Sequence, residues 1–249
     1  MPTYRMLVAY DGGPFRGFAR QPGLPTVQGQ IEDALSKVLR EPVLTSGAGR
    51  TDAGVHALGQ VMSFRRTEPI DDLARVLRAV NAMVGPAIAV LELEAASEGF
   101  DARFSAVART YEYMILTRPV HDPFSRHTAW HHPAALDVHA MAQAARTLLG
   151  EHDFRSFARV EEGQAPVRTI EALEIEPQGD VIVVRVRANS FLQQMVRSIV
   201  GTLAKVGEGK IAPGSMGDIL EARDRAVAGP VAPPHGLFLV SVDYPEALV

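Results

Sequence analysis

A chain of 249 residues, 47% hydrophobic and 22% charged, can bury one large core or two smaller ones and is too apolar for wholesale disorder. It contains no cysteine, which excludes a disulfide framework, a thiolate zinc site and a cysteine nucleophile and fits a reducing compartment. The formal charge of −4, from 25 basic and 29 acidic side chains, argues against a uniformly basic nucleic-acid binder. The balance is uneven, however, because only Lys37, Lys205 and Lys210 are lysine. Arginine's planar fork suits phosphate and base recognition, although high-GC codon usage gives the same bias. The first residues hold no signal-peptide core, and no apolar run approaches the ~18 residues of a membrane span. The expectation is a cytoplasmic protein without a membrane partner.

In chain order, Tyr4–Tyr10 reads as a strand. Thr26 can cap a helix whose apolar residues Val27, Ile31, Ala34, Leu35 and Val38 recur at helical spacing. Strand-like residues 60–64 follow, then a second amphipathic helix through Leu73, Val76, Leu77, Val80 and Met83, and a strand over 87–93. Residues 110–116 alternate so that Tyr111, Tyr113 and Ile115 share one face. Asp137 is placed to cap a helix ending at Gly150 that buries Val138, Met141, Ala145 and Leu148. Residues 169–176 and 181–188 flank a Pro-Gln-Gly-Asp turn and predict a hairpin. Ser190 can start a helix that buries Met195, Val196, Ile199 and Leu203 and stops at Gly207, and residues 237–242 form a closing strand. This predicts an α+β protein of two halves, residues 1–105 and 106–249, with mainly antiparallel pairing and a cleft between them.

The most unusual stretch runs from Gly47 to His56. Its glycines 47, 49 and 54 imply tight turns or close backbone approach. The run starts like the dinucleotide fingerprint G-x-G-x-x-G, but its sixth position is Asp52, and a carboxylate there repels a pyrophosphate. A lone aspartate in such a turn is, by itself, usually an Asx-turn or a helix cap.

Gly49, Arg50, Thr51, Asp52, Ala53, Gly54, Val55, His56 and Ala57 in succession resemble the signature loop of the tRNA pseudouridine synthase A family. Further segments match that family in the same order. They are Tyr10-Asp11-Gly12 with Phe15-Arg16-Gly17, Thr26-Val27-Gln28-Gly29, and Phe104-Ser105-Ala106 with Arg109-Thr110-Tyr111. His152-Asp153-Phe154, Phe191-Leu192 with Met195-Val196-Arg197, and Pro233-Pro234 with Gly236-Leu237 continue the series. Ala19 and Gln193-Gln194 depart from the pattern.

The resemblance implies the pseudouridine synthase fold, two ferredoxin- or RRM-like α+β halves sharing a mixed, mainly antiparallel sheet. It implies isomerisation of uridine to pseudouridine at positions 38, 39 and 40 in the anticodon arm of tRNA, by a homodimer, with no cofactor and no metal. Asp52 would be the catalytic carboxylate, as nucleophile at the sugar or as base at C2′. Arg197 would pair with it, where periodicity alone describes a solvated arginine. Tyr111 would stack on the flipped uracil, where alternation alone describes a half-buried strand tyrosine. Arg50 and Gln28 join Tyr111 as expected substrate contacts, Arg50 through phosphate or as a loop-stabilising partner. His127, His131 and His132 do not fall at metal-ligand spacing on one element. A catalytically silent RNA-binding protein on the same scaffold and a glycosidase-like hydrolase are the competing readings; the hydrolase wants a second carboxylate opposite the first.

Overall fold

A computed structural model describes residues 1–248. The elements are β1 (Thr3–Tyr10), α1 (Val27–Leu39), β2 (Thr45–Gly47), β3 (His56–Arg65), α2 (Leu73–Val84), β4 (Ile88–Ala96), β5 (Ala108–Leu116), β6 (Trp130–His131) and α3 (Val138–Ala145). They continue with β7 (Gly150–Asp153), β8 (Val167–Gln178), β9 (Val181–Ala188), α4 (Met195–Gly207), α5 (Met216–Ala222) and β10 (Leu237–Asp243). The chain divides into two compact units, Met1–Ala108 with the segment from Phe238 onward, and Arg109–Leu237. The sequence reading assigned the closing strand to the second half. In the structure it pairs in parallel with β3, Phe238 opposite His56 and Leu239 opposite Ala57, and so completes the first unit.

In the first unit the strands run β4-β1-β3-β10, with β2 as a short addition to β3. β1 is antiparallel to both neighbours, and its Met6 lies opposite Met62 and Leu93. Tyr4, Met6, Val8 and Tyr10 are buried on one face, as alternation requires. α1 begins where Thr26 accepts a hydrogen bond from Gly29 N–H, and it buries Ile31, Ala34 and Leu35. Each such large side chain contributes about 1.5–3 kcal/mol of burial. α2 is capped by Asp72 and buries Val76, Val80 and Val84. Met83, expected inside, is 44% exposed because Val84 takes the inward position at the end of the helix.

In the second unit β5, β9, β8 and β7 pair in that order, all antiparallel. The predicted hairpin closes on the two residues Gly179 and Asp180, with Gly179 at φ +62. Asp137 caps α3 through Ala140 N–H, but regular helix stops at Ala145 and a 3-10 turn carries the chain to Leu148. The start expected at Ser190 moves to Met195. Gln194 stands in the left-handed region, φ 62, directly before the helix, and the chain ahead of it is occupied elsewhere. Leu192 is buried, and Gln193 C=O accepts Arg159 N–H. α4 packs on α3 and is buried along most of its circumference.

Candidate active-site elements

The loop from Gly47 to His56 belongs to the first unit and is fixed from several sides. Thr51 is bound at both its backbone and its side chain: Phe18 N–H donates to its carbonyl at 3.1 Å, and its hydroxyl lies 2.8 Å from the Tyr10 hydroxyl. Tyr10 is fully buried, and burial pushes its phenol up to about 12 against the opposing hydrogen bonds of Thr51 and Gln60. It is therefore a neutral anchor at physiological pH and adds no charge beside the loop. Gln60, in the middle of β3, donates to Gly49 C=O at 2.8 Å. Asp52 C=O accepts Val55 N–H at 3.1 Å, closing a four-residue turn whose third residue, Gly54, sits at φ +80. That positive φ at the third position is the reason for a glycine there. The side chain of Asp52 is half-buried at the mouth of this turn.

The N-terminal loop lies against the same turn. A Cβ at Gly12 would stand 2.0 Å from Val55 O, so only glycine permits that approach. Gly12 N–H points at His56 Nδ1, 3.1 Å away, and His56 stacks on Phe238 with centroids 4.7 Å apart. Arg50 is exposed and makes no ion pair among the described residues. Gln28 is committed to the protein itself: its amide oxygen accepts Arg20 N–H at 3.0 Å and its nitrogen donates to Thr45 C=O at 2.8 Å. Beside it the buried Glu32 carboxylate accepts Thr45 N–H at 2.9 Å and pairs with Arg20, which steadies the entry to β2 and hence to the loop.

The second unit holds Tyr111 and Arg197. Tyr111 is 7% exposed and meets Phe191 edge-on, centroids 5.0 Å apart. Arg197 projects from the first turns of α4, and its Nε donates to Ala232 C=O at 2.7 Å. Ala232 N–H in turn donates to Arg197 C=O at 3.0 Å. One helical turn on, Gly201 lets the chain at Pro230 close in; a Cβ there would meet Pro230 O at 1.8 Å. Pro233 C=O accepts the hydroxyl of Tyr113 at 2.7 Å. Burial raises the Tyr113 phenol far above its ordinary value, and the positive charge of Arg197 opposes that rise. Arg197 is thus a clasped side chain rather than the solvated arginine that periodicity alone describes.

In the sequence, Tyr10, Gly12 and His56 lie within matching segments but carry no assigned role, and Gln60, Tyr113 and Ala232 are not brought into these two constellations. A polar Gln60 inside an apolar strand was the one visible signal. Among the described residues no three His, Asp or Glu side chains converge to hold a metal ion, and no helix is long and apolar enough to cross a membrane. His132 instead lies 2.9 Å from the Glu208 carboxylate, which Lys210 and Lys205 hold down to about 2.

A family model described as tRNA pseudouridine synthase matches residues 6–105 and 144–245. The chain is 45% identical over 252 residues to the tRNA pseudouridine synthase A of Agrobacterium fabrum (strain C58), covering 100% of this chain and 94% of that one. It is 43% identical over 251 residues to the protein of the same name in Rhizobium leguminosarum bv. trifolii, again covering 100% and 94%. With the one from Paramagnetospirillum magneticum it shares 46% identity over 248 residues, 98% of this chain and 96% of the other.

Proposed function

This chain belongs to the tRNA pseudouridine synthase family, and from that premise we propose that Asp52 is its catalytic carboxylate, working with Arg197 and Tyr111. The chain is an isomerase of the pseudouridine synthase fold that converts uridine to pseudouridine in tRNA. The reaction breaks the bond from ribose C1′ to uracil N1, turns the base, and joins C1′ to C5. C5 gives up its proton and N1 gains one, so nothing is oxidised and no group leaves the nucleotide.

The observation that carries the assignment of Asp52 is its mounting. Thr51 is pinned at its carbonyl and its hydroxyl, Gly49 is pinned by Gln60, and the half-buried Asp52 follows directly, at the start of the turn closed by Val55 N–H. Such a group can attack C1′ or take the proton from C2′; both need the ionised form and a fixed geometry. Bound substrate strips water from a carboxylate and disfavours its charge, and a guanidinium offsets that cost. Arg197, held in place by Ala232, is the residue we assign to this role. Tyr111, stiffened by Phe191, would lie against the everted uracil while the base turns. Arg50, exposed and without an ion pair among the described residues, suits a backbone phosphate. Gln28 enters as a brace for the start of β2, since both of its amide atoms are taken. We assign the reaction to positions 38, 39 and 40 of the anticodon arm, in the cytoplasm, by a homodimer that reads the shape of the RNA more than its sequence.

The test is to incubate unmodified tRNA transcript with the wild type and with Asp52→Asn and to map pseudouridine and free uracil. The wild type should give pseudouridine only. The variant should retain RNA binding and lose at least ~10³-fold in rate, a loss of about 4 kcal/mol in transition-state stabilisation. Binding without product from the wild type would instead make the chain a silent RNA binder, and free uracil would make it a hydrolase.

A further inference from the structure

Ahead of β5 the chain makes a compact turn over residues 101–105 that is hydrogen-bonded both within itself and to three residues outside it. The Asp101 carboxylate accepts Arg103 N–H at 2.8 Å, Phe104 N–H at 3.0 Å and the Ser46 hydroxyl at 3.1 Å. Asp101 N–H donates to the Ser105 hydroxyl, and Ser105 N–H donates back to Asp101 C=O at 2.9 Å. Ala102 N–H donates to the Ser63 hydroxyl of β3, while Ala102 C=O accepts the Tyr244 hydroxyl at 2.7 Å. Phe100 is buried beneath and packs on Tyr244, centroids 5.0 Å apart. A turn held at this many points has one conformation.

That conformation turns Phe104 outward, 82% exposed, with the Arg103 guanidinium carbon 5.6 Å from the centre of its ring. A single exposed apolar side chain is ordinary by itself; what sets this one apart is that a multiply hydrogen-bonded turn fixes the ring beside a guanidinium. The turn is bolted to Ser46 of β2, and six residues further along the chain stands Asp52. One side of the ring is associated with a cation, while most of its surface is open to solvent. This combination suits a flat, electron-rich partner attached to an anion, which describes a nucleotide.

We propose that Phe104, backed by Arg103, is a stacking platform for an unpaired base of the substrate RNA, a nucleotide other than the one being isomerised. The proposal rests on the tRNA-modifying reading above. The base lies on the ring, and Arg103 contributes charge toward the neighbouring phosphate. Stacking on a fixed aromatic is tolerant of base identity, so the platform adds affinity and register without reading sequence.

Measuring the affinity of the full-length protein for a labelled, unmodified tRNA transcript at fixed salt tests this. Phe104→Ala should weaken binding about 5- to 50-fold. Phe104→Leu, which keeps apolar area but lacks a π face, should weaken it comparably, and Phe104→Trp should stay within about twofold of the wild type. Leu44→Ala removes another side chain that is 80% exposed and should leave affinity unchanged. Wild-type affinity in Phe104→Ala or Phe104→Leu overturns the proposal, as does a loss of oligomer mass with RNA affinity intact, which would make Phe104 a protein contact. A wild type that binds the transcript yet forms no pseudouridine overturns the functional reading and leaves this result legible by itself.

Discussion

The Asp52 loop and the Arg197 clasp reach similar fixity by opposite routes. The loop is assembled mainly from a contiguous stretch, Gly47 to His56, braced by Tyr10, Gly12, Phe18 and Gln60 within the same unit. The clasp joins residues 35 apart at Arg197 and Ala232 and 120 apart at Tyr113 and Pro233. In the loop, tight turns and neutral hydroxyls fix a backbone that presents a charge. In the clasp, the backbone carbonyl of Ala232 holds the charge itself. The role proposed for Asp52, as nucleophile or as base, needs a fixed position, which glycine and turn geometry supply locally. The counter-charge role proposed for Arg197 needs a fixed direction, which a carbonyl from a distant segment supplies.

The contrast can be broken most severely at the clasp. Arg197→Ala should lower kcat by about 10²- to 10³-fold, more than it weakens tRNA binding, in single-turnover kinetics. A fall in affinity alone would reduce Arg197 to a phosphate contact. Next comes the close approach that lets the clasp shut. Gly201→Ala puts a methyl 1.8 Å from Pro230 O, and the resulting shift should cost about 2 kcal/mol in denaturant unfolding, with kcat falling as the Ala232 carbonyl moves off Arg197. Unchanged stability and rate would mean that the clasp is slack.

The smallest effect sharpens the loop side. Tyr10→Phe removes the hydroxyl that holds Thr51 and should cost about 1 kcal/mol of stability. The same substitution should change the alkaline limb of unfolding. The Tyr10 phenol is raised to about 12 in the folded chain from an unfolded value of 10.0, so its contribution is fully present below pH 10 and is lost as pH rises from 10 toward 12. In Tyr10→Phe that part of the alkaline loss should vanish. Alkaline curves that superimpose would remove Tyr10 as the neutral anchor.

The same contrast decides what could be read without a structure. The loop was legible because glycine at 54 supplies a positive φ within its own turn, and α1 because Thr26 caps it from the residue just before. Strand alternation at Tyr111, Tyr113 and Ile115 was legible for the same reason. The clasp was not, because its partner atom at Ala232 is a carbonyl, which every residue carries and which leaves no mark in composition or spacing. Nor was the start of α4, where a good capping serine at 190 yields to the buried Leu192 and to Gln194 in the left-handed region. The closing strand reads correctly as a strand over 237–242, but periodicity says nothing about its partner, and its parallel register with β3 joins it to the first unit. Gln60 shows the reverse case, a polar residue inside a strand that looks like a break until Gly49 and Tyr10 are seen to need it.

The most direct test of the account follows the C5 hydrogen of uracil, which leaves only when the new carbon–carbon bond forms. With tRNA carrying tritium at C5 of its uridines, wild-type enzyme in excess should release the label into water, and Asp52→Asn, bound to the same RNA, should release none above background. Release by Asp52→Asn at a rate near that of the wild type would contradict the assignment of the carboxylate at residue 52.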